Sequence, residues 1–175
     1  MEPSPKEGTP EELAGAAMSH VLRRLNSAPR TRHELAQTCR EKGFPLEIYE
    51  AVLDRVEEMG YINDADFANN WVRSRTRSRG LAPSVLRREL TLKGVDRDLI
   101  DAALEEIDPK DSDRRARELA EKKMRSLLGV STQVAIRRIA SQLQRKGYPP
   151  GMSLAIARDV AGSSGDAHDF HELDH

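Results

Sequence analysis

Along the first part of the chain apolar residues recur at three- and four-residue intervals, never in strict alternation, and that period is helical. Leu13, Ala17, Val21 and Leu25 follow at four-residue steps with Met18 and Leu22 beside them, which predicts an amphipathic helix. Thr9-Pro10-Glu11-Glu12 marks its start, with a hydroxyl cap, a proline at the first helical position and a glutamate at the third. Thr31-Arg32-His33-Glu34 is a second capping box, opening a helix that stops at Gly43. Pro45 starts a third, which carries Ile48, Val52 and Val56 toward Gly60. Connectors are short and no segment reads as a strand.

The same grammar then repeats. Lys42-Gly43-Phe44, Lys93-Gly94-Val95 and Lys146-Gly147-Tyr148 are separated by 51 and 53 residues. Eight residues before each glycine stand Leu35, Leu86 and Ile139, and four before it Cys39, Leu90 and Leu143. Five residues after it come Ile48, Leu99 and Met152; nine after, Val52, Ala103 and Ile156; thirteen after, Val56, Ile107 and Val160. The first two offsets stack on one helix face and the last three on the face of the next helix. The glycine between them suits the left-handed residue that closes a helix.

The expected fold is therefore all-α, an elongated, curved array of three tandem three-helix repeats. The boundaries read as a disordered arm over 1–9, repeats over 10–60, 61–109 and 110–162, and a disordered acidic, His-containing tail over 163–175. Asp108-Pro109 marks the break before the third repeat, because a residue preceding proline avoids the helical region. Each repeat is too small for a large core of its own, so neighbours are expected to share apolar surface.

Composition narrows the classes. Among 175 residues, 33% are charged and only 4% aromatic. No stretch approaches the ~18 apolar residues of a spanning helix. Cys39 is the single cysteine, so neither an intrachain disulfide nor a cysteine-based zinc site is available. The first ten residues are polar and Pro-rich, unlike a secretory leader, and the expected compartment is the cytoplasm. The net charge of −1 hides a segregation: residues 71–97 carry a net +6 and 114–147 a net +8, with acidic blocks around them. Local potential of that kind steers charged partners more than the overall balance does.

Catalytic chemistry finds no footing. Cys39 occupies a core position where the other repeats have leucine, and no glycine-rich phosphate loop is present, since Gly80 and Gly94 are isolated. His168, His171 and His175 lie among Asp166, Asp169 and Asp174, a set read as a flexible acidic tail rather than a chelating site. The chain is expected to be no enzyme and to hold neither cofactor nor metal.

The second repeat carries the most distinctive residues. Asn63 or Asp64 caps its first helix, and Phe67 and Trp71, four residues apart, are read as aromatics that hold that helix in place. Arg73, Arg75, Arg77 and Arg79 follow at two-residue spacing, which turns by about 200° per step and splits them into two rows, 73/77 and 75/79. Some of that charge complements the helix dipole, but four arginines exceed what a helix end requires. Arg87, Arg88 and Lys93 extend the basic patch, and Arg137, Arg138, Arg145 and Lys146 stand in similar places in the third repeat. Gly43, Gly94 and Gly147 with Leu86 and Leu90 form the structural signature.

The run Gly60-Tyr61-Ile62-Asn63-Asp64, Phe67-Ala68, Trp71-Val72 and Arg75, followed by Gly80, Pro83, Leu86, Glu89-Leu90 and Lys93-Gly94-Val95, resembles the central signature of the RecX family, bacterial regulators of the RecA recombinase. The resemblance covers roughly residues 13–162 and is sharpest over 60–95; Ala82-Pro83 replaces the family's usual Gly-Pro. It implies a non-enzymatic protein that binds the RecA–single-stranded-DNA filament and inhibits ATP hydrolysis, strand exchange and co-protease activity in DNA repair, homologous recombination and the SOS response. It further implies that Arg73, Arg75, Arg77, Arg79, Arg87, Arg88, Lys93, Arg137 and Arg138 touch the filament. A monomer is the natural form of a protein that enters a filament, with weak non-specific DNA binding besides. Two other readings fit the pattern: a helix-turn-helix DNA-binding regulator, and a passive α-repeat scaffold. The acidic residues Asp96, Asp98, Asp101, Glu105 and Glu106 around the third helix of the second repeat oppose duplex readout through it.

Overall fold

A computed structural model describes residues 7–127 and 129–169, with side chains as far as Ser163. Among the described residues there are nine α-helices and no strand: α1 (Pro10–Ser27), α2 (Arg32–Glu41), α3 (Leu46–Glu58), α4 (Asp64–Arg79), α5 (Pro83–Leu92), α6 (Arg97–Glu105), α7 (Pro109–Arg125), α8 (Thr132–Arg145) and α9 (Pro150–Asp169). None of them is long and apolar enough to cross a membrane.

The caps form as the sequence dictates. Thr9 and Thr31 each accept a hydrogen bond from the third helical N–H while Glu12 and Glu34 bond back to the cap residue's own N–H. Pro45 differs in detail: it occupies the cap position, with α3 beginning at Leu46. Asn63 rather than Asp64 caps α4, its side-chain oxygen accepting the Asp66 N–H at 3.0 Å. The Asp64 carboxylate instead accepts the main-chain N–H of Arg32 at 2.9 Å.

Each Lys-Gly turn is a Schellman motif. The N–H groups of Phe44, Val95 and Tyr148 reach back to the carbonyls of Cys39, Leu90 and Leu143, and those of Gly43, Gly94 and Gly147 to Arg40, Thr91 and Gln144. The glycines have φ of +75°, +70° and +93°. Phe44, Val95 and Tyr148 are buried together with Cys39, Leu90 and Leu143, the apolar contact that closes such a cap.

Burial on the helix after each turn is displaced by one residue from the expected face. Ile48, Leu99 and Met152 are only half-buried, whereas Tyr49, Ile100 and Ser153 beside them are buried. One residue turns a helix by about 100°, and the buried set at six, nine and ten residues past the glycine centres the face away from the fifth. The ninth position is buried in every copy, as Val52, Ala103 and Ile156.

The chain forms two compact units that do not follow the repeats. The first comprises Met1–Trp71 and Arg88–Ala103, the second Val72–Arg87 and Leu104–His175, so α4 and α5 each contribute to both. The first unit packs around Val21, Leu35, Cys39, Phe44, Leu53 and Val56. The second packs around Ala116, Ala120, Ile139, Leu143, Tyr148 and Ile156, with Ala82 of the second repeat buried among them. The shared apolar surface expected of such small repeats takes this form.

The tail expected to lack structure from residue 163 instead continues α9 as far as Asp169. The histidines at 171 and 175, and the first six residues of the expected N-terminal arm, lie outside the described residues. Among the described residues no group of three or more potential ligands is placed to hold a metal ion.

Candidate functional site

The first half of α4 belongs to the first unit. Its apolar stripe buries Ala68, and the rings of Phe67 and Trp71 stack at 5.6 Å with 18° between their planes. Both rings are half-buried rather than sealed in the core. Lys93, expected to extend the basic patch, is used inside the fold: its Nζ lies 4.6 Å from the Trp71 ring centroid and 5.5 Å from that of Phe67. The same ammonium pairs with Glu34 Oε1 at 2.6 Å, and Trp71 Nε1 donates to Glu89 at 2.8 Å. An ammonium held between a carboxylate and two ring faces has its partners already.

The second half of α4 belongs to the second unit and carries the arginines. Arg73, Arg77 and Arg79 are exposed, and Arg75, on the flank nearer the buried Val72 and Thr76, is half-buried. Helical geometry puts Arg73 and Arg77 in one row and Arg75 and Arg79 in the other, yet one member of each, Arg77 and Arg79, reaches the same cleft. Arg87 and Arg88 are exposed on α5, the former in the second unit and the latter in the first.

The Lys-Gly-Tyr turn of the third repeat fixes this end of α4. Lys146 Nζ donates to the Arg79 carbonyl, and the Tyr148 hydroxyl donates to the Gly80 carbonyl at 3.2 Å. The Lys146 carbonyl accepts the Ala82 N–H at 2.9 Å, and the Gly147 carbonyl accepts the Ser84 hydroxyl at 2.6 Å. Burial pushes the Tyr148 phenol up from its usual range, which keeps it protonated and able to donate.

A cleft opens beside that clasp. Arg77, Arg79, Arg115, Lys122 and Lys146 line it, with Glu118 the acidic residue among them. Thr76 also lines it, and its hydroxyl is buried with no hydrogen-bond partner. A second cleft on the same unit is lined by Lys123, Arg137, Arg138, Ser141 and Arg145. On α8 the last four fall on one face, at steps of one, three and four residues.

The structure thus brings Arg77 and Arg79 to one cleft and Arg137 and Arg138 to another, while Arg73, Arg75, Arg87 and Arg88 line neither. It adds Arg115, Lys122 and Lys123, which sequence reasoning did not single out. Their signal was present as the net +8 of residues 114–147. A block charge does not say which of its side chains converge.

The expected non-catalytic role of Cys39 fits its surroundings. It is fully buried in the first unit's core, and burial together with the charge of Glu50 pushes its thiol up to about 11.

Profiles of the first, second and third three-helix domains of RecX match residues 17–55, 63–104 and 111–154. The regulatory protein RecX of Streptomyces coelicolor is 39% identical over 178 residues, covering 95% of each chain. That of Thermobifida fusca is 39% identical over 161 residues, covering 92% of this chain and 87% of its own. The crystal structure of RecX from Lactobacillus salivarius shares the fold, with a TM-score of 0.76 at 21% identity over 86% of this chain and 97% of that one. Matched along nearly its whole length in sequence, and carrying the three helical domains in order, the chain belongs to the RecX family of regulatory proteins.

Proposed function

We propose that this protein regulates the RecA recombinase by binding its filament on single-stranded DNA and inhibiting ATP hydrolysis, strand exchange and co-protease activity. It carries out no reaction of its own and acts as a cytoplasmic monomer in DNA repair and homologous recombination. The observation that carries the reading is family membership along the whole chain, together with basic residues presented on solvent-facing rows of α4, α5 and α8. Arg73, Arg75, Arg77, Arg79, Arg87, Arg88, Arg137 and Arg138 supply the contacts. The arginine fork suits both carboxylates of a protein surface and phosphates of DNA.

The test is recombinase ATPase activity on single-stranded DNA, measured against increasing amounts of this protein. Activity is expected to fall, and the protein to be retained on filaments formed with ATP in preference to free duplex. Replacing Arg73, Arg77 and Arg79 by alanine should weaken retention while leaving helical content unchanged. Undiminished ATPase activity at saturating protein sinks the reading. Retention on duplex alone would favour the helix-turn-helix regulator in its place.

A further inference from the structure

Helices α7 and α8 line both basic clefts of the second unit. Consecutive residues fall to one and then the other: Lys122 and Lys123 on α7, Ser141 and Gln142, then Arg145 and Lys146, on α8. We infer that together they form one phosphate-binding track, which engages successive phosphates of a nucleic-acid backbone without reading its bases. The inference builds on the filament reading, since it names the component of the filament that this face touches.

The lining chemistry points to phosphate. Lys, Arg, Ser, Thr and Gln side chains are the usual donors to phosphodiester oxygens. The Lys123–Arg138 cleft has no carboxylate among its lining residues and the Arg77–Lys146 cleft has only Glu118, so the potential along the track is strongly positive. A protein surface as occupant would call for apolar or aromatic anchors at its centre. The first of these clefts has none, and the second offers only Leu81 and Leu119. No aromatic residue lines either, so there is no platform on which bases stack, and recognition stops at the backbone. Two clefts sharing a pair of helices suit a chain of phosphates better than one anion. The clasp at Lys146 and Tyr148 holds the end of α4 and keeps Arg77 and Arg79 in the lining of the Arg77–Lys146 cleft, a positioning role within the same unit.

The experiment measures binding of the full chain to fluorescently labelled oligonucleotides of different base composition as salt is varied. The variant Lys122→Gln/Lys123→Gln keeps good helix formers at both positions. A second variant, Arg137→Gln/Arg145→Gln, alters α8 instead, so a folding defect in one leaves the other to decide. Each is expected to weaken binding about tenfold at moderate salt and to lower the salt slope by roughly 1.5–2, uniformly across base compositions. Tripolyphosphate should compete only at phosphate concentrations far above those of the oligonucleotide. Unchanged affinity and slope in both folded variants overturn the track, as does strong dependence on base composition or equal competition by tripolyphosphate. Recombinase inhibition by the unaltered protein is measured alongside. If it persists while the variants bind free DNA like the parent, the track fails and the filament reading stands; if it is absent while the variants lose DNA, the reverse holds.

Discussion

Thr31 donates its hydroxyl hydrogen to the main-chain carbonyl of Lys93 at 2.6 Å, joining residues 62 apart in the chain. The same oxygen accepts the Glu34 N–H at 3.1 Å, so one buried hydroxyl caps α2 and holds the turn after α5. Glu34 has a double duty too: Oε2 accepts the Thr31 N–H at 3.2 Å while Oε1 pairs with Lys93. A local capping box has become the seat for the next repeat's Lys-Gly turn. Between the second and third repeats Ala82 stands where Thr31 does, and its N–H with the Ser84 hydroxyl performs the corresponding task.

Thr31→Ala should therefore cost more than an ordinary cap. Loss of the cap and of a part-buried carbonyl's partner should together remove about 2–3 kcal/mol, whereas Thr31→Ser, which keeps the hydroxyl, should cost under about 1 kcal/mol. Urea denaturation checks both. A cost for alanine no larger than that for serine would show that the bond to Lys93 contributes nothing.

The glycines of the turns differ in what they allow. Gly60 has a φ of +77° with open space around it, so Gly60→Ala meets only the left-handed penalty, about 1 kcal/mol. A β-carbon on Gly94 would overlap Cβ and the ring of His33, and Gly94→Ala should cost more than about 3 kcal/mol once that overlap is added. Because the His33 β-carbon is itself in the way, His33→Ala should not rescue the variant, although His33→Gly should in part. Thermal unfolding of the variants distinguishes these outcomes.

Lys93→Met separates a structural lysine from a partner contact. Removing the half-buried ion pair and the ammonium over the indole should cost about 1–2 kcal/mol. Trp71 is the chain's one tryptophan, so its emission reports the change directly. Filament retention at low temperature, where the variant is folded, should match the parent's. A folded variant that loses retention would return Lys93 to the contact surface.

Cys39 offers a test by pH. Its thiol titrates near 11 in the folded chain against 9.0 for the exposed group, so between those values the unfolded chain releases a proton that the folded chain keeps. Stability should fall as pH rises from about 9 toward 11, and Cys39→Ser should flatten that slope whatever its effect on absolute stability. At pH 8 the native thiol should resist a thiol-specific reagent and react on unfolding. Rapid labelling of the folded protein would contradict its place in the core.

Helix starts and stops were legible because their causes are local. A threonine three residues before a glutamate, or a glycine after a lysine, acts through hydrogen bonds spanning three to five residues, and Thr9, Thr31 and Gly43 needed nothing further from the fold. The aromatic pair Phe67 and Trp71 was legible for the same reason. The one-residue displacement from Ile48 to Tyr49 as the buried position was not, because which of two adjacent apolar residues faces inward depends on where the other helices lie.

By itself the sequence determined the caps at Thr9 and Thr31, the helical period of three repeated units, the recurrence of the Lys-Gly turn, and the family signature over 60–95. Only the tertiary structure decided what each cation does. Lys93 and Lys146 occupy the same place in their turns, yet one lies against Trp71 and Glu34, and the other binds the end of α4 beside Arg79. Arg115, Lys122 and Lys123 converge with residues from α4 and α8 across long stretches of chain. A charge is fixed by residue identity, but its potential depends on which other charges packing brings near it.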